Sequence, residues 1–161
     1  MPVSSVRFRF RQAFRVPAKA AYEWCTDYQP SDARFFEQKW RREVRRLAKD
    51  AILLSETTWP GGRTCVIQRL VRLSPQDLAW TNTHISGPFR HSQYWYRIVP
   101  DAPRRSHLEF TGMRLIRTPR SLSPAQKTRL TDQERRGDSA LWHRIARALE
   151  REIGSRTYSE P

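Results

Sequence analysis

The sequence predicts an α+β fold: a seven-stranded curved antiparallel sheet wrapped around a long carboxy-terminal helix, with two short helices after the first strand. Three observations predict it. An alternating segment opens the chain, six β-rich segments divided by turn residues fill its middle, and an amphipathic stretch with a three- and four-residue period closes it. Its 161 residues are the length of one domain, so 1–161 is read as a single unit.

From Val6 to Phe14 the even positions are mostly apolar and Arg7, Arg9 and Arg11 fall opposite them, the period of a half-buried strand. Pro17 stands where a helix can start without losing an N–H bond. Ala18, Ala20, Ala21, Tyr22, Trp24 and Cys25 then supply helix formers and an apolar stripe ending near Thr26 and Asp27. Tyr28 to Asp32 breaks this helix, and Ser31 with Asp32 caps a further turn carrying Phe35 and Phe36. Strands are expected at 39–48, 50–59, 63–73, 77–86, 90–99 and 105–116. Their separators, Lys49-Asp50, Gly61-Gly62, Ser74 to Asp77, Gly87-Pro88 and Pro100 to Pro103, are turn chemistry, and such short links imply an antiparallel meander. Ser123 before Pro124 is a cap followed by a first-turn proline, with Leu122 as a staple. The helix runs to about Ile153, with Gly137 as a kink point and 155–161 as a frayed tail. Its stripe Leu141, Trp142, Ile145, Ala146, Leu149 and Ile153 buries one side against the sheet, whereas Arg144, Arg147 and Arg151 face elsewhere.

Six Trp, five Tyr and seven Phe exclude a wholly disordered chain, and the lack of a long uncharged apolar run excludes a membrane-spanning helix. The amino terminus has no apolar core of a signal peptide, so the cytoplasm is the expected compartment. Cys25 and Cys65 are too few for a disulfide framework and too far apart for a C-x-x-C motif, and are read as reduced, small apolar residues. Thirty Lys and Arg against sixteen Asp and Glu leave a net charge of +14, which draws the surface to nucleic acid, anionic lipid or acidic partners.

Beyond the order of elements, the run Val16-Pro17-Ala18-Lys19-Ala20-Ala21-Tyr22-Glu23-Trp24-Cys25-Thr26-Asp27-Tyr28 resembles the entry into the first helix of the SRPBCC superfamily, the START and polyketide-cyclase-like helix-grip proteins. Asp138 to Glu150 is similar to that superfamily's final helix. The resemblance covers nearly the whole chain and rests on packing patterns. It implies the helix-grip fold and a cavity between sheet and helix for an apolar or amphipathic small molecule, lipid- or polyketide-like.

Strand register fills in that cavity, because a slip of one residue exchanges the two faces. A three-residue Gly87-Pro88-Phe89 loop pairs His84 with Ser92, Asn82 with Tyr94, Trp80 with Tyr96 and Leu78 with Ile98. The competing register sets Trp80 opposite Trp95 but turns Arg97 to the buried side beside Leu78. Pairing Leu73 with Leu78 sets Arg69 opposite Asn82 and Ile67 opposite His84. A two-residue Gly61-Gly62 turn pairs Thr58 with Cys65, Glu56 with Ile67 and Leu54 with Arg69. The expected cavity residues are therefore Trp80, Asn82, His84, Tyr94, Tyr96, Arg69 and Glu56, with Phe110 as a further wall. Two readings of the polar ones stand. They orient a ligand, or Glu56 and Arg69 neutralise one another while Asn82 and the tyrosines complete an internal network.

His84, oriented by Glu56 as a general base, is the one acid–base pair the register suggests, and it would make the protein a cyclase- or hydrolase-type enzyme. No nucleophile elbow, phosphate loop, dinucleotide motif or metal-ligand spacing is present, so no cofactor and no metal are expected. Arg7, Arg9 and Arg11 on the first strand and Arg41 and Arg45 on the second form one basic surface patch if those strands are neighbours, as the resembled fold implies. Such a patch suits an anionic membrane surface or the phosphates of RNA or a ribosome.

Overall fold

The computed structural model describes residues 1–35 and 39–157. One seven-stranded antiparallel sheet is built from β1 (Val3–Phe14), β2 (Trp40–Ala48), β3 (Ala51–Thr58), β4 (Cys65–Ser74), β5 (Ala79–His84), β6 (Gln93–Ala102) and β7 (Arg105–Arg117). Helix α1 (Ala18–Thr26) and a 3-10 turn over Pro30–Phe35 lie between β1 and β2, and helix α2 (Pro124–Thr157) closes the chain. This is the architecture expected from the sequence, with boundaries displaced by a few residues. Of the anticipated pair Phe35 and Phe36, Phe35 ends the 3-10 turn and Phe36 lies outside the described residues. Helix α2 is continuous through Gly137 and past Ile153 to Thr157, and the rest of the expected tail lies outside the described residues.

The strand order is β1-β7-β6-β5-β4-β3-β2. Strand β1 pairs with β7 along its whole length, from Val3 opposite Arg117 to Phe14 opposite Ser106. The chain must then cross the concave face to reach the opposite edge, where β2 pairs with β3. This corrects the expected basic patch. Arg7, Arg9 and Arg11 are exposed on one edge of the sheet and Arg41 and Arg45 on the other, so the two groups do not form one surface.

The hairpin registers follow the predicted parity. Trp80 faces Tyr96 and Asn82 faces Tyr94, and the His84 amide donates to the Ser92 carbonyl at 3.0 Å. Between β3 and β4, Thr58 faces Cys65 and Leu54 faces Arg69 as expected. The link is wider than a two-residue turn, because a 3-10 turn over Pro60–Gly62 carries Gly61 and Gly62 at φ 58° and 77°. The β4–β5 register is shifted by two residues. Arg69 pairs with His84, Val71 with Asn82 and Leu73 with Trp80. The cause is Leu78, which leaves the 3-10 turn Pro75–Asp77 in the left-handed region at φ 49° and joins the loop instead of pairing with Leu73. A shift of two preserves the faces, so Arg69 remains inward but stands beside His84.

The inward rows of the strands make the core, with Phe8, Phe14, Ile52, Leu54, Val71, Ile98 and Leu108 all buried. Helix α2 begins with a reciprocal cap. The Gln126 amide donates to Ser123 Oγ at 3.2 Å, and the Ser123 amide donates to the Gln126 side chain at 2.8 Å. Among the residues of α2 whose burial is described, only Ala146, Ala148 and Leu149 are fully buried, while Leu141, Trp142 and Ile145 are half-buried because they look into a cavity. Gly112 on β7 permits the closest aromatic packing, since a Cβ there would stand 2.8 Å from the Phe8 ring and 3.1 Å from the Phe110 ring.

Two glycine substitutions should therefore move stability in opposite directions. Gly112→Ala overpacks the aromatic core and is expected to cost about 1–3 kcal/mol. Gly137→Ala, on an exposed helical position with nothing within 4 Å of the new Cβ, should stabilise by about 0.5–1 kcal/mol. Urea denaturation midpoints of the two variants check both signs.

Candidate functional site

Between the concave face of the sheet and α2 lies a cavity of about 320 Å³. Strands β4 to β7 supply Arg69, Trp80, Asn82, His84, Tyr94, Tyr96, Phe110 and Arg114; α2 supplies Asp138, Leu141, Trp142 and Ile145; α1 and the segment after it add Trp24, Cys25, Tyr28, Asp32 and Phe35. Every cavity residue expected from the register is in this lining except Glu56.

The apolar middle is an aromatic box. Trp80 and Tyr96, cross-strand partners on β5 and β6, stack with ring centroids 4.7 Å apart and planes 2° from parallel. Trp142 on α2 leans over both, 5.6 Å from Tyr96 and 6.4 Å from Trp80, and Phe110 meets Tyr96 edge-on at 5.2 Å. These rings brace one another across sheet and helix, and such pairs add about 0.5–1.5 kcal/mol each beyond their buried area.

At one end a buried carboxylate gathers two arginines. Glu56 Oε1 accepts from Arg42 Nε at 3.0 Å and Nη2 at 2.9 Å, and also from Arg69 Nη2. Arg42 in turn donates to Asp32 at 2.7 Å and lies over the Trp40 ring at 4.4 Å. Glu56 thus sits behind the wall and is occupied by the guanidinium groups. This corrects the expected His84–Glu56 pair: no hydrogen bond joins them, and His84 Nδ1 has no hydrogen-bond partner among the described residues. Arg42 shares the even parity of Trp40 and Val44 on β2, and it is buried because Glu56 and Asp32 neutralise it. Tyr28, which lines the cavity beside this cluster, holds φ 38°, a strained backbone of about 1–3 kcal/mol that surrounding packing maintains.

At the other end Arg114 is the hub. Its Nε donates to the Tyr94 hydroxyl at 2.8 Å, and its terminal nitrogens reach Glu134 and, at 3.1 Å, Asp138 on α2. Its plane also lies over Phe89 at 5.0 Å and Phe8 at 5.7 Å. Neither Arg114 nor Asp138 was singled out from the sequence. The available signals were the even parity that Arg114 shares with Phe110 and the spacing of Asp138 to Leu141, Trp142 and Ile145.

Between the poles, Arg69 Nε, Asn82 Oδ1 and His84 Nδ1 are buried without a hydrogen-bond partner among the described residues. All three residues line the cavity. Burial first, then the positive charges of Arg69 and Arg114, lower the His84 pKa to about 3, so its imidazole is neutral. Burial raises the hydroxyls of Tyr28 and Tyr96 and the Cys25 thiol, which keeps each protonated. Burial likewise raises Asp138, opposed by Arg114. Among the described residues no group of three or more His, Cys, Asp or Glu side chains is placed to hold a metal ion.

Two variants test these electrostatics. Glu56→Gln takes the carboxylate from two buried guanidinium groups, leaving Arg42 with Asp32 and Arg69 without an ion pair, and should cost about 3–5 kcal/mol in chemical denaturation. His84, with a folded pKa near 3 against 6.5 unfolded, binds its proton more readily in the unfolded state. The native protein should therefore lose stability as pH falls from 6.5 towards 4, by at most about 3 kcal/mol from this group. His84→Gln should flatten that part of the stability–pH curve; an unchanged curve would exclude a buried neutral imidazole.

No protein-family model matches the chain, and no curated protein matches it in sequence. Solved structures do match in shape. The ZhuI aromatase/cyclase from Streptomyces sp. R1128 superposes with a TM-score of 0.72 at 15% identity, over 93% of this chain and 96% of that one. A START superfamily protein from Mycobacterium smegmatis gives 0.64 at 14% identity, over 92% and 97%. Norcoclaurine synthase from Thalictrum flavum, in complex with dopamine and hydroxybenzaldehyde, gives 0.66 at 10% identity, over 95% and 88%. The fold is the helix-grip fold of these proteins, as the resemblance implied.

Proposed function

We propose that this protein binds a compact amphipathic small molecule, with an aromatic or polycyclic body, in the cavity between the sheet and α2. The observation that carries the reading is the trio of buried polar atoms without a partner among the described residues, Arg69 Nε, Asn82 Oδ1 and His84 Nδ1, set into a mainly apolar, aromatic-rich lining. A polar group left unpaired in a protein interior costs about 1–3 kcal/mol, and a ligand hydroxyl that both donates and accepts recovers that cost.

The cavity volume, about 320 Å³, is at the lower end for drug-sized ligands and suits a few fused or linked rings better than a two-chain lipid. Its carboxylates and guanidinium groups are already committed to each other in the Glu56 and Arg114 clusters. The site therefore favours a neutral ligand over an anion. The norcoclaurine synthase neighbour, solved with dopamine and hydroxybenzaldehyde, supports phenol-sized guests for this architecture. Binding, rather than turnover, is the reading favoured, because burial and two nearby guanidinium groups make His84 a weak base and no carboxylate among the described residues orients it.

Calorimetric titration with 2-naphthol, naphthalene and 2-naphthoate tests this. The phenol should bind about tenfold more tightly than the hydrocarbon, equivalent to about 1.4 kcal/mol, and more tightly than the anion. Asn82→Leu, of similar shape, should remove the preference for the hydroxyl while leaving naphthalene affinity in place. Equal affinities for all three probes in the unaltered protein would discard the polar-trio reading. Native mass spectrometry of the purified protein gives an independent view of what co-purifies.

A further inference from the structure

Charge is segregated along α2 in a way that the cavity does not require. Every acidic side chain on the helix is half-buried and turned to a partner. Asp132 pairs with Arg135; Glu134 and Asp138 hold Arg114; Glu150 accepts from the Arg15 amide at 2.9 Å; Glu152 holds Arg34 and accepts from Trp24 Nε1 at 2.7 Å. Among the described residues, every exposed charge on the helix is positive. Arg129, Arg136, Arg144, Arg147 and Arg151 are all exposed. At 100° per residue they fall within about 80° of arc, and at 1.5 Å per residue the row is about 33 Å long. Arg129, Arg136, Arg147 and Arg151 make no ion pair with a described residue.

We propose that this arginine row is a docking surface for the phosphate backbone of double-helical nucleic acid, bound without regard to sequence. Three features of the row point to that occupant. First, the charges are all guanidinium, whose planar fork meets phosphate oxygens in pairs. Second, the helix displays no large exposed apolar side chain; Val44, Leu47, Trp59, Val66, Ile85 and Trp95, exposed elsewhere, all belong to the sheet and its loops. A helix lying in a membrane interface would carry such side chains on its docking side. Third, it exposes no Trp, Tyr or Phe on which unpaired bases could stack, which single-strand binders use. A narrow straight row of positive charge on a rigid rod is complementary to a linear polyanion. This surface is independent of the cavity and also differs from Arg7, Arg9, Arg11, Arg41 and Arg45.

The test is fluorescence anisotropy with a short labelled duplex DNA. Phosphate contacts from Arg129, Arg136, Arg147 and Arg151 give a salt slope of about −3.6, so affinity should fall roughly 150-fold between about 50 and 200 mM salt. Replacing these four together by Gln should remove most of that fall, with the circular dichroism spectrum and 2-naphthol titration unchanged. A control removes the same number of charges elsewhere, Arg7, Arg9, Arg41 and Arg45 to Gln, and should keep the steep salt slope. Equal loss in both variants would overturn the proposal in favour of net charge alone. Tighter binding to a single strand, or to vesicles of phosphatidylserine in phosphatidylcholine with no duplex binding, would also overturn it.

Discussion

One helix cannot fill the concave side of seven strands. At about 4.8 Å between neighbouring strands the sheet is about 29 Å wide, whereas a helix with its side chains is about 10–12 Å across. Space is left beside α2, and the chain covers part of it by crossing from β1 to β2 through α1 and the 3-10 turn. What remains is the cavity. Its existence follows from the ratio of sheet width to helix width, and its chemistry follows from which side chains the strand parity turns towards it.

That space has to be held open, because aromatic side chains without support would collapse into it. Two charge clusters act as end walls. Glu56 ties β3 to Arg42 on β2 and Arg69 on β4, and through Arg42 to Asp32 in the crossing segment. Arg114 ties β7 to Tyr94 on β6 and to Glu134 and Asp138 on α2. Replacing such ion pairs by apolar groups of equal size is often neutral or stabilising. Their value here is geometric, since each fixes the separation of elements that apolar contact alone would let approach.

Much of this was legible from alternation. The inward positions of Trp80, Asn82, His84, Tyr94, Tyr96, Arg69 and Phe110 follow from period two and one well-marked loop at Gly87-Pro88, and all of them line the cavity. Where a turn residue adopts a backbone its type seldom takes, the reading slipped: Leu78 in the left-handed region moved the β4–β5 register by two. Long-range pairing was the other obstacle. That β1 joins β7 while β2 stands at the far edge is encoded in no local pattern, and it divides arginines that seemed to belong together. Glu56 shows the limit of parity, which says that a side chain points inward but not whether its neighbours have already claimed it.

The pairing of β1 with β7 has a consequence for how the molecule comes into being. Strands β2 to β7 are successive hairpins and can zip locally, but the first strand finds its partner only across about a hundred residues of intervening chain. During synthesis the first strand, with Val6, Phe8 and Phe14 on its inward face, must therefore wait until β7, ending at Arg117, has left the ribosome. The hollow, which needs α2 as well as the closed sheet, is a late product of folding.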